Sequence, residues 1–333
     1  MKKRILSLLL ALILLVSVLP MTAHADMRVW FDYLENGLLY EIYLEDDTGR
    51  VYALVRDCDN DVAEIVIPAD IEGAPVEIIS FLFDSTFSNV LRVSIPSSVI
   101  TIEEEFSNCP NLTDIHVDEN NPYYSSDDRG VLFDKAKTLL IQAPGAIAAT
   151  YTIPDGVTSI GEQAFYSCSS LTSIKTPSSI TSISEQAFDN CSSLVSIEIP
   201  ESVTSIGKKA FSYCNTLTSI EIPESVTSIG EDAFVGCFGM TGIHVNENNP
   251  NYSSDDRGVL FDKTKTLLIK APGAITDTYT IPDSVTSIGR CAFFGCASLT
   301  GIELPDGITS IGYSIFSGCT SLTDIELPDG ITS

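Results

Sequence analysis

The chain has 333 residues, 45 of them acidic and 18 basic, for a formal charge of −27. A surface this acidic repels nucleic acid and anionic membranes, and suits basic partners or cations. Only three histidines are present, which leaves little room for Ser-His-Asp or Cys-His chemistry.

Residues 1–25 read as a secretory signal peptide. Lys2, Lys3 and Arg4 precede an apolar run over 5–19, and Ala23-His24-Ala25 forms a small-residue cleavage site. The mature chain is then expected outside the cytoplasm, without membrane insertion. It would carry 15 basic against 45 acidic residues, a charge of −30. Residues 26–66 are expected to form an N-terminal β cap. Tyr40-Glu-Ile-Tyr-Leu44 and Val51-Tyr-Ala-Leu-Val55 alternate like strands, with Asp46-Asp-Thr-Gly49 as a hairpin turn.

From residue 67 to 333 the chain repeats itself. Pro154, Pro177, Pro200 and Pro223 are evenly spaced, and Pro282, Pro305 and Pro328 keep the same step. A period of about 23 residues means a stacked array. In the Pro200 unit the apolar positions are Val203, Ile206, Ala210, Phe211, Leu217, Ile220 and Ile222. They break into an extended Leu217-Thr-Ser-Ile-Glu-Ile222, a turn at Pro223, a short extended Val226-Thr-Ser-Ile229 and a helical-looking Glu-Asp-Ala-Phe. One such unit cannot offset the entropy of ordering its own backbone. Stacked units share inward side chains and pair strands about 4.8 Å apart. The prediction is a β-rich, right-handed solenoid with one strand per unit and helix limited to short turns. The units at Pro68 and Pro96 are irregular, and the extra Ile71-Glu-Gly-Ala-Pro75 is assigned to a surface loop.

The pattern Leu-x-x-Ile-x-Ile-Pro-x-x-Val-x-x-Ile-Gly-x-x-Ala-Phe-x-x-Cys resembles the BspA-like leucine-rich repeat family of bacterial secreted and surface proteins. The resemblance covers nearly all of the mature chain. It implies an extracellular protein-interaction or adhesion role, without naming a ligand or a catalytic residue.

The array is interrupted twice. His116-Val-Asp-Glu-Asn-Asn-Pro122 to Thr152 recurs later as His244-Val-Asn-Glu-Asn-Asn-Pro250 to Thr280. The distance between the copies exceeds a whole number of regular units, which places inserts near 117–152 and 245–280. In the first, Val131-Leu-Phe133 and Thr138-Leu-Leu-Ile141 flank Asp134-Lys-Ala-Lys137 and read as a hairpin packed on the solenoid. The sequence stops just inside a new unit, which suggests a fragment of a longer protein.

The candidate functional residues follow from the stacking. Cys168, Cys191, Cys214 and Cys237 share one motif position and read as a buried column of free thiols. Cys291 falls outside it, beside Arg290 on the polar side of the turn, and is the expected reactive thiol. Phe165, Phe188, Phe211, Phe234 and Phe293 read as a buried aromatic column. Strand alternation sends His116, Lys175, Glu198, Glu221, His244, Glu303 and Glu326 outward in one strip. That strip is the candidate contact for a protein partner on a host or bacterial surface. Asp118, Asp127 and Asp128, with Asp255 and Asp256 in the second insert, have the oxygen chemistry of calcium ligands. Asx turns explain the same residues without metal, and no other cofactor is implied. The functional expectation is a non-catalytic interaction module. The alternative is a structural spacer presenting a further C-terminal domain.

Overall fold

The computed structural model describes residues 33–35, 38–45, 50–58, 62–71, 73–80, 87–103, 106–323, 325–326, 328 and 330–331. The expected signal peptide and the turn at 46–49 lie outside the described residues.

Each regular rung has three sides. On the first, Ser219–Ile222 buries Ile220 and Ile222 and exposes Glu221. It pairs in parallel with Gly242–Val245, Ile220 opposite Ile243 and Glu221 opposite His244. The second side adds a strand that the one-strand expectation lacked. Ser182–Ile183, Ser205–Ile206 and Ser228–Ile229 pair in parallel, Ile on Ile. Threonine reinforces this side. Thr181, Thr204 and Thr227 each donate both N–H and Oγ1 to the threonine carbonyl one rung back. The short Val-Thr-Ser-Ile segment therefore forms a ladder although it contributes only two residues per strand.

The third side is not helical. Among the described residues there is no α-helix. Instead, the residues flanking each phenylalanine at two places' remove take a positive φ: 52° at Gln163, 55° at Ser167, 53° at Lys209 and 53° at Tyr213. The resulting turns aim every second N–H along the solenoid axis. Lys209, Phe211 and Tyr213 donate to the carbonyls of Glu231, Ala233 and Val235 in the next rung, at 2.8–3.0 Å. The intervening Ala210, Ser212 and Cys214 close local turns onto Gly207, Lys209 and Phe211. Every backbone donor from Lys209 to Cys214 thus finds an acceptor, which burial demands.

Inside, the phenylalanines stack in two runs rather than in the one column expected. Phe165, Phe188, Phe211 and Phe234 have ring centroids 5.0, 5.3 and 5.9 Å apart, with interplanar angles of 9°, 1° and 6°. Phe293 stacks on Phe316 at 5.7 Å. The cysteine column lies alongside. Cys191, Cys214 and Cys237 donate their thiols to the carbonyls of Phe165, Phe188 and Phe211 in the preceding rung. The column is more than small apolar filler: it supplies a donor between rungs.

At the N-terminal end, Leu38–Glu45 and Arg50–Cys58 form an antiparallel hairpin. Arg50–Cys58 then pairs in parallel with Ala74–Ile79, which in turn pairs with Thr101–Ile102 on the second side. Leu38, Tyr40, Ile42, Ala53 and Val55 are buried against the first rungs. Glu64–Val66 already pairs with Arg92–Ile95, so the strand sheet begins just ahead of residue 67. The extra residues after Pro68 do not form a free loop. Asp70–Ile71 pairs antiparallel with Ala74–Ile79, and Ile71 and Ala74 are buried. Gly73, at φ 88°, makes the tight turn between them.

Each insert is a rung of a different kind. Leu132–Asp134 and Leu139–Gln142 form the expected hairpin, with Tyr124–Ser126 added antiparallel. The last strand then re-enters the second sheet, Leu139 opposite Ser159 and Leu140 opposite Ile160. The turn at 127–130 fills the missing slot on the first side. The Gly130 carbonyl accepts from the Ile115 N–H, while Arg129 donates to the Thr150 carbonyl. Gly130, at φ 70°, leaves no room for a Cβ, which would lie 2.7 Å from the Asp114 Cα. The second insert repeats this register with Tyr252–Ser254, Leu260–Asp262 and Leu267–Lys270. The apolar core forms three clusters. They meet at Val131 and Leu132 in the first insert and at Val259 and Leu260 in the second.

Candidate interaction surface

Parallel, in-register pairing builds the outward strip from single residues. His116, Lys175, Glu198, Glu221, His244, Glu303 and Glu326 are all exposed. Register sets Ser94 beside His116, Thr152 beside Lys175, Glu221 beside His244 and Thr280 beside Glu303. The Thr280 Oγ1 donates to Glu303 at 2.7 Å. Among the described residues no salt bridge joins two members of the strip. The strip is divided by the insert turns into a His116 portion, a 175–244 portion and a 303–326 portion. Gly242 has a local role: the His244 imidazole occupies the space that a Cβ there would need, 2.6 Å from Nε2. The first copy has Asp114 at the corresponding place.

The insert oxygens are largely committed to backbone. Asp127 Oδ1 accepts from the N–H groups of Arg129 and Val131, and its Oδ2 accepts from the Tyr151 hydroxyl at 2.6 Å. Asp255 does the same with Arg257, Val259 and Tyr279. Burial and the adjacent carboxylate push both tyrosine hydroxyls well above the usual range. Asp118 Oδ1 accepts from the Asn120 N–H. Asp128 and Asp256 stand exposed. Among the described residues no group of three or more His, Cys, Asp or Glu is placed to share an ion.

The cysteines divide by environment. Cys168, Cys191, Cys214 and Cys237 are free and buried, and burial raises their thiol pKa values, that of Cys237 to about 12. Cys291 does not stand on the polar surface. It is 8% exposed and lines a cleft. Cys319 is the partly exposed member of the column. The neighbouring Cys296 thiol lowers its pKa to about 7.

Three groups have architectural roles that the sequence reading did not assign to them. Asn121 and Asn249 are fully buried. Asn249 donates to the Pro223 and Val226 carbonyls and accepts from the Asn251 and Tyr252 N–H groups. Tyr124 and Tyr252 accept from the N–H of Ile102 and Ile229, ending the second sheet at each insert. Lys270 is buried, and its ammonium donates to the carbonyls of Cys291, Ala292 and Phe294. Burial holds its pKa below the usual lysine range. The available signal was a charged residue at the end of the apolar run Leu267-Leu-Ile-Lys270, where the first insert has Gln142.

A cleft of about 300 Å³ opens beside Lys270 at the second insert. Its rim carries Glu231, Asp232 and Arg290. Arg290 Nη1 lies 3.1 Å from Glu231 Oε1, and Nη2 lies 3.4 Å from Asp232 Oδ2.

Comparison with curated proteins gives no match. Among solved structures, a leucine-rich cell surface protein from Faecalibacterium prausnitzii is 27% identical. The alignment covers 93% of this chain and 85% of that one, with a TM-score of 0.46. A leucine-rich repeat protein from Eubacterium ventriosum is 24% identical over 80% of this chain, with a TM-score of 0.46. The chain spans 62% of the length of that protein. The pneumococcal vaccine antigen PcpA is 21% identical, with 92% and 72% of the two chains covered and a TM-score of 0.46. The family described as "BspA type Leucine rich repeat region" matches in six copies over residues 59–127, 148–255 and 274–333. Its gaps, 128–147 and 256–273, fall within the two inserts. With more than half of its length matched, the chain belongs to the BspA-type leucine-rich repeat family.

Proposed function

We propose that this chain is a secreted or cell-surface module that binds a protein partner and carries no catalytic centre of its own. The observation that carries this reading is the in-register outward strip. Pairing repeats one exposed position from rung to rung, and four of its seven residues are glutamates without salt bridges to their strip neighbours. A strip rich in exposed carboxylates is complementary to a basic partner surface. Family membership supports an interaction role, and the leader-like residues 1–25 support an extracellular location. Among the described residues, no helix is long and apolar enough to cross a membrane. The experiment has two stages. Mature protein is first used to capture host and bacterial surface proteins. The Glu198→Gln, Glu221→Gln, Glu303→Gln, Glu326→Gln variant is then titrated against the captured partner. Weaker binding with a flatter salt dependence is expected. Unchanged affinity at low salt refutes the strip as the contact.

The second reading, a spacer presenting another domain, is favoured by the phenylalanine stacks on either side of the second insert and by the ladders between regular rungs, which stiffen each stretch of the array. The adhesion role distinguishes itself by direct partner binding to this chain alone.

A further inference from the structure

The ladder on the third side is complete between regular rungs and broken at the second insert. Up to the Pro223 rung, each junction between regular rungs carries three axial bonds. The donors that should continue it are the N–H groups of Asp232, Phe234 and Gly236. Among the described residues none of the three has an acceptor. The cause is a shortcut in the chain. A regular rung takes eleven residues from Gly207 to Leu217, whereas the insert rung passes from Lys270 through Ala271-Pro-Gly-Ala to Ile275. Gly273 is pressed against Cys237, where a Cβ would lie 2.4 Å from the carbonyl oxygen. The shortcut leaves a gap the width of the missing turn.

The two walls of this gap differ. On the far wall, the Lys270 ammonium occupies the carbonyls of Ala292 and Phe294, and the Ala271 N–H shares that of Ala292. In a regular junction these carbonyls accept from the preceding rung. On the near wall the N–H donors of Asp232 and Phe234 stay open, with that of Gly236 just beyond the cleft lining. Asp232 adds an acceptor. Its side chain is 5% exposed, yet its Oδ1 is buried with no hydrogen-bond partner. Such an orphan costs free energy unless something reaches it. Arg290 spans the mouth, engaging Glu231 and the other Asp232 oxygen, and is about half exposed. Apolar side chains, Ile229, Phe234 and Ile269 among them, line the remainder.

We propose that this gap is a peptide-binding cleft, in which a short extended segment of a partner protein takes the place of the missing turn and sets a lysine or arginine against Asp232. Carbonyls on alternate residues of an extended chain match donors that alternate along 232, 234 and 236. A basic side chain supplies the donor that Asp232 Oδ1 lacks, and Arg290 swings out to admit it. About 300 Å³ accommodates roughly three residues. The proposal rests on the interaction-module reading for the nature of its ligand, but it places binding apart from the acidic strip.

The probe is acetyl-Val-Lys-Val-amide, with norleucine replacing lysine as its control. Binding is followed on the mature chain by the amide NMR signals and exchange rates of Asp232, Phe234 and Gly236. The lysine peptide is expected to shift all three signals and slow their exchange, binding at least tenfold tighter than the norleucine peptide. Arg290→Gln should strengthen binding several-fold by opening the mouth. Asp232→Asn should erase the lysine preference while keeping the fold, because asparagine tolerates the positive φ of 57° at this position. No change at the three amides up to 10 mM peptide, with Arg290→Gln in place, overturns the proposal. Equal affinity for the two peptides overturns the role of Asp232. If the peptide fails while the chain still captures a surface protein, only the cleft falls. If the peptide binds and no protein partner is captured, the strip falls and the cleft stands.

Discussion

Replacing Phe211 by alanine tests the stacked core most directly. Phe211 is 0% exposed and lies between Phe188 at 5.3 Å and Phe234 at 5.9 Å, nearly parallel to both. A buried Phe→Ala change costs about 3–5 kcal/mol through lost transfer energy and the residual cavity. Each aromatic neighbour contributes about 0.5–1.5 kcal/mol beyond burial, and Phe211 has two. The surroundings cannot collapse into the hole, because rungs on both sides are held at fixed spacing by axial bonds such as those from Lys209, Phe211 and Tyr213. The loss should therefore reach the upper end, about 5 kcal/mol. Urea unfolding followed by circular dichroism measures it, with the midpoint and slope read separately. Tyr313→Ala, at a residue 78% exposed, is the control and should fall within about 0.5 kcal/mol. A Phe211→Ala loss below about 1 kcal/mol, or one no larger than the control, refutes the stacked-column reasoning.

Two further predictions follow from the polar interior. Asn249→Ala should cost about 2–4 kcal/mol, since it strands two carbonyls and two N–H groups at a buried site. A midpoint shift equivalent to less than about 0.5 kcal/mol would show that water replaces the amide. Cys319 should be the first of the column thiols to react with a maleimide, as located by peptide mass spectrometry. Its lowered pKa makes the thiolate accumulate as pH rises through about 7, so its labelling rate should climb there and level off above. Cys168, Cys191, Cys214 and Cys237 stay protonated and buried over the same range. Labelling of Cys191 or Cys214 as fast as Cys319 in the folded protein would contradict the structure.

The legible part of this molecule is what repetition repeats. Phe165 to Phe234 and Cys168 to Cys237 keep one place in every unit, so stacking alone puts them in columns. The alternation of Ile220, Glu221 and Ile222 was enough to orient the first strand. The turn side was illegible because its conformation is imposed between rungs. Gln163, Lys209 and Cys291 are not residue types that favour a positive φ, and they adopt it because their N–H groups reach carbonyls of the following rung. A single unit carries no trace of that partner. The insert hairpin could be read from Val131-Leu-Phe133 and its return strand. That the same segment also serves as a rung depends on Leu140 pairing with Ile160 and on Gly130 meeting Ile115. The strip residues were placed on the exposed face by alternation. The cleft could not be foreseen, since it arises from a shorter path through Ala271 and Gly273 rather than from any motif.

The way each insert joins its neighbours bears on how such a chain can change length. An insert caps the second sheet of the rung before it and offers a regular strand edge to the rung after it. Its tyrosine, Tyr124 or Tyr252, terminates the sheet behind it while its last strand founds the next. It is a coupling with standard fittings at both ends. The stretch from one coupling to the next is then a cassette, bounded by the same Asn-Asn-Pro, Asp-Asp-Arg-Gly and Tyr-Thr-Ile-Pro sequences. Deleting or duplicating one whole cassette leaves every hydrogen-bond partner of the couplings in kind, whereas removing a part of one leaves a rung with no matching edge. Recombination between the two copies would therefore shorten or lengthen the array by whole cassettes and return a foldable chain each time.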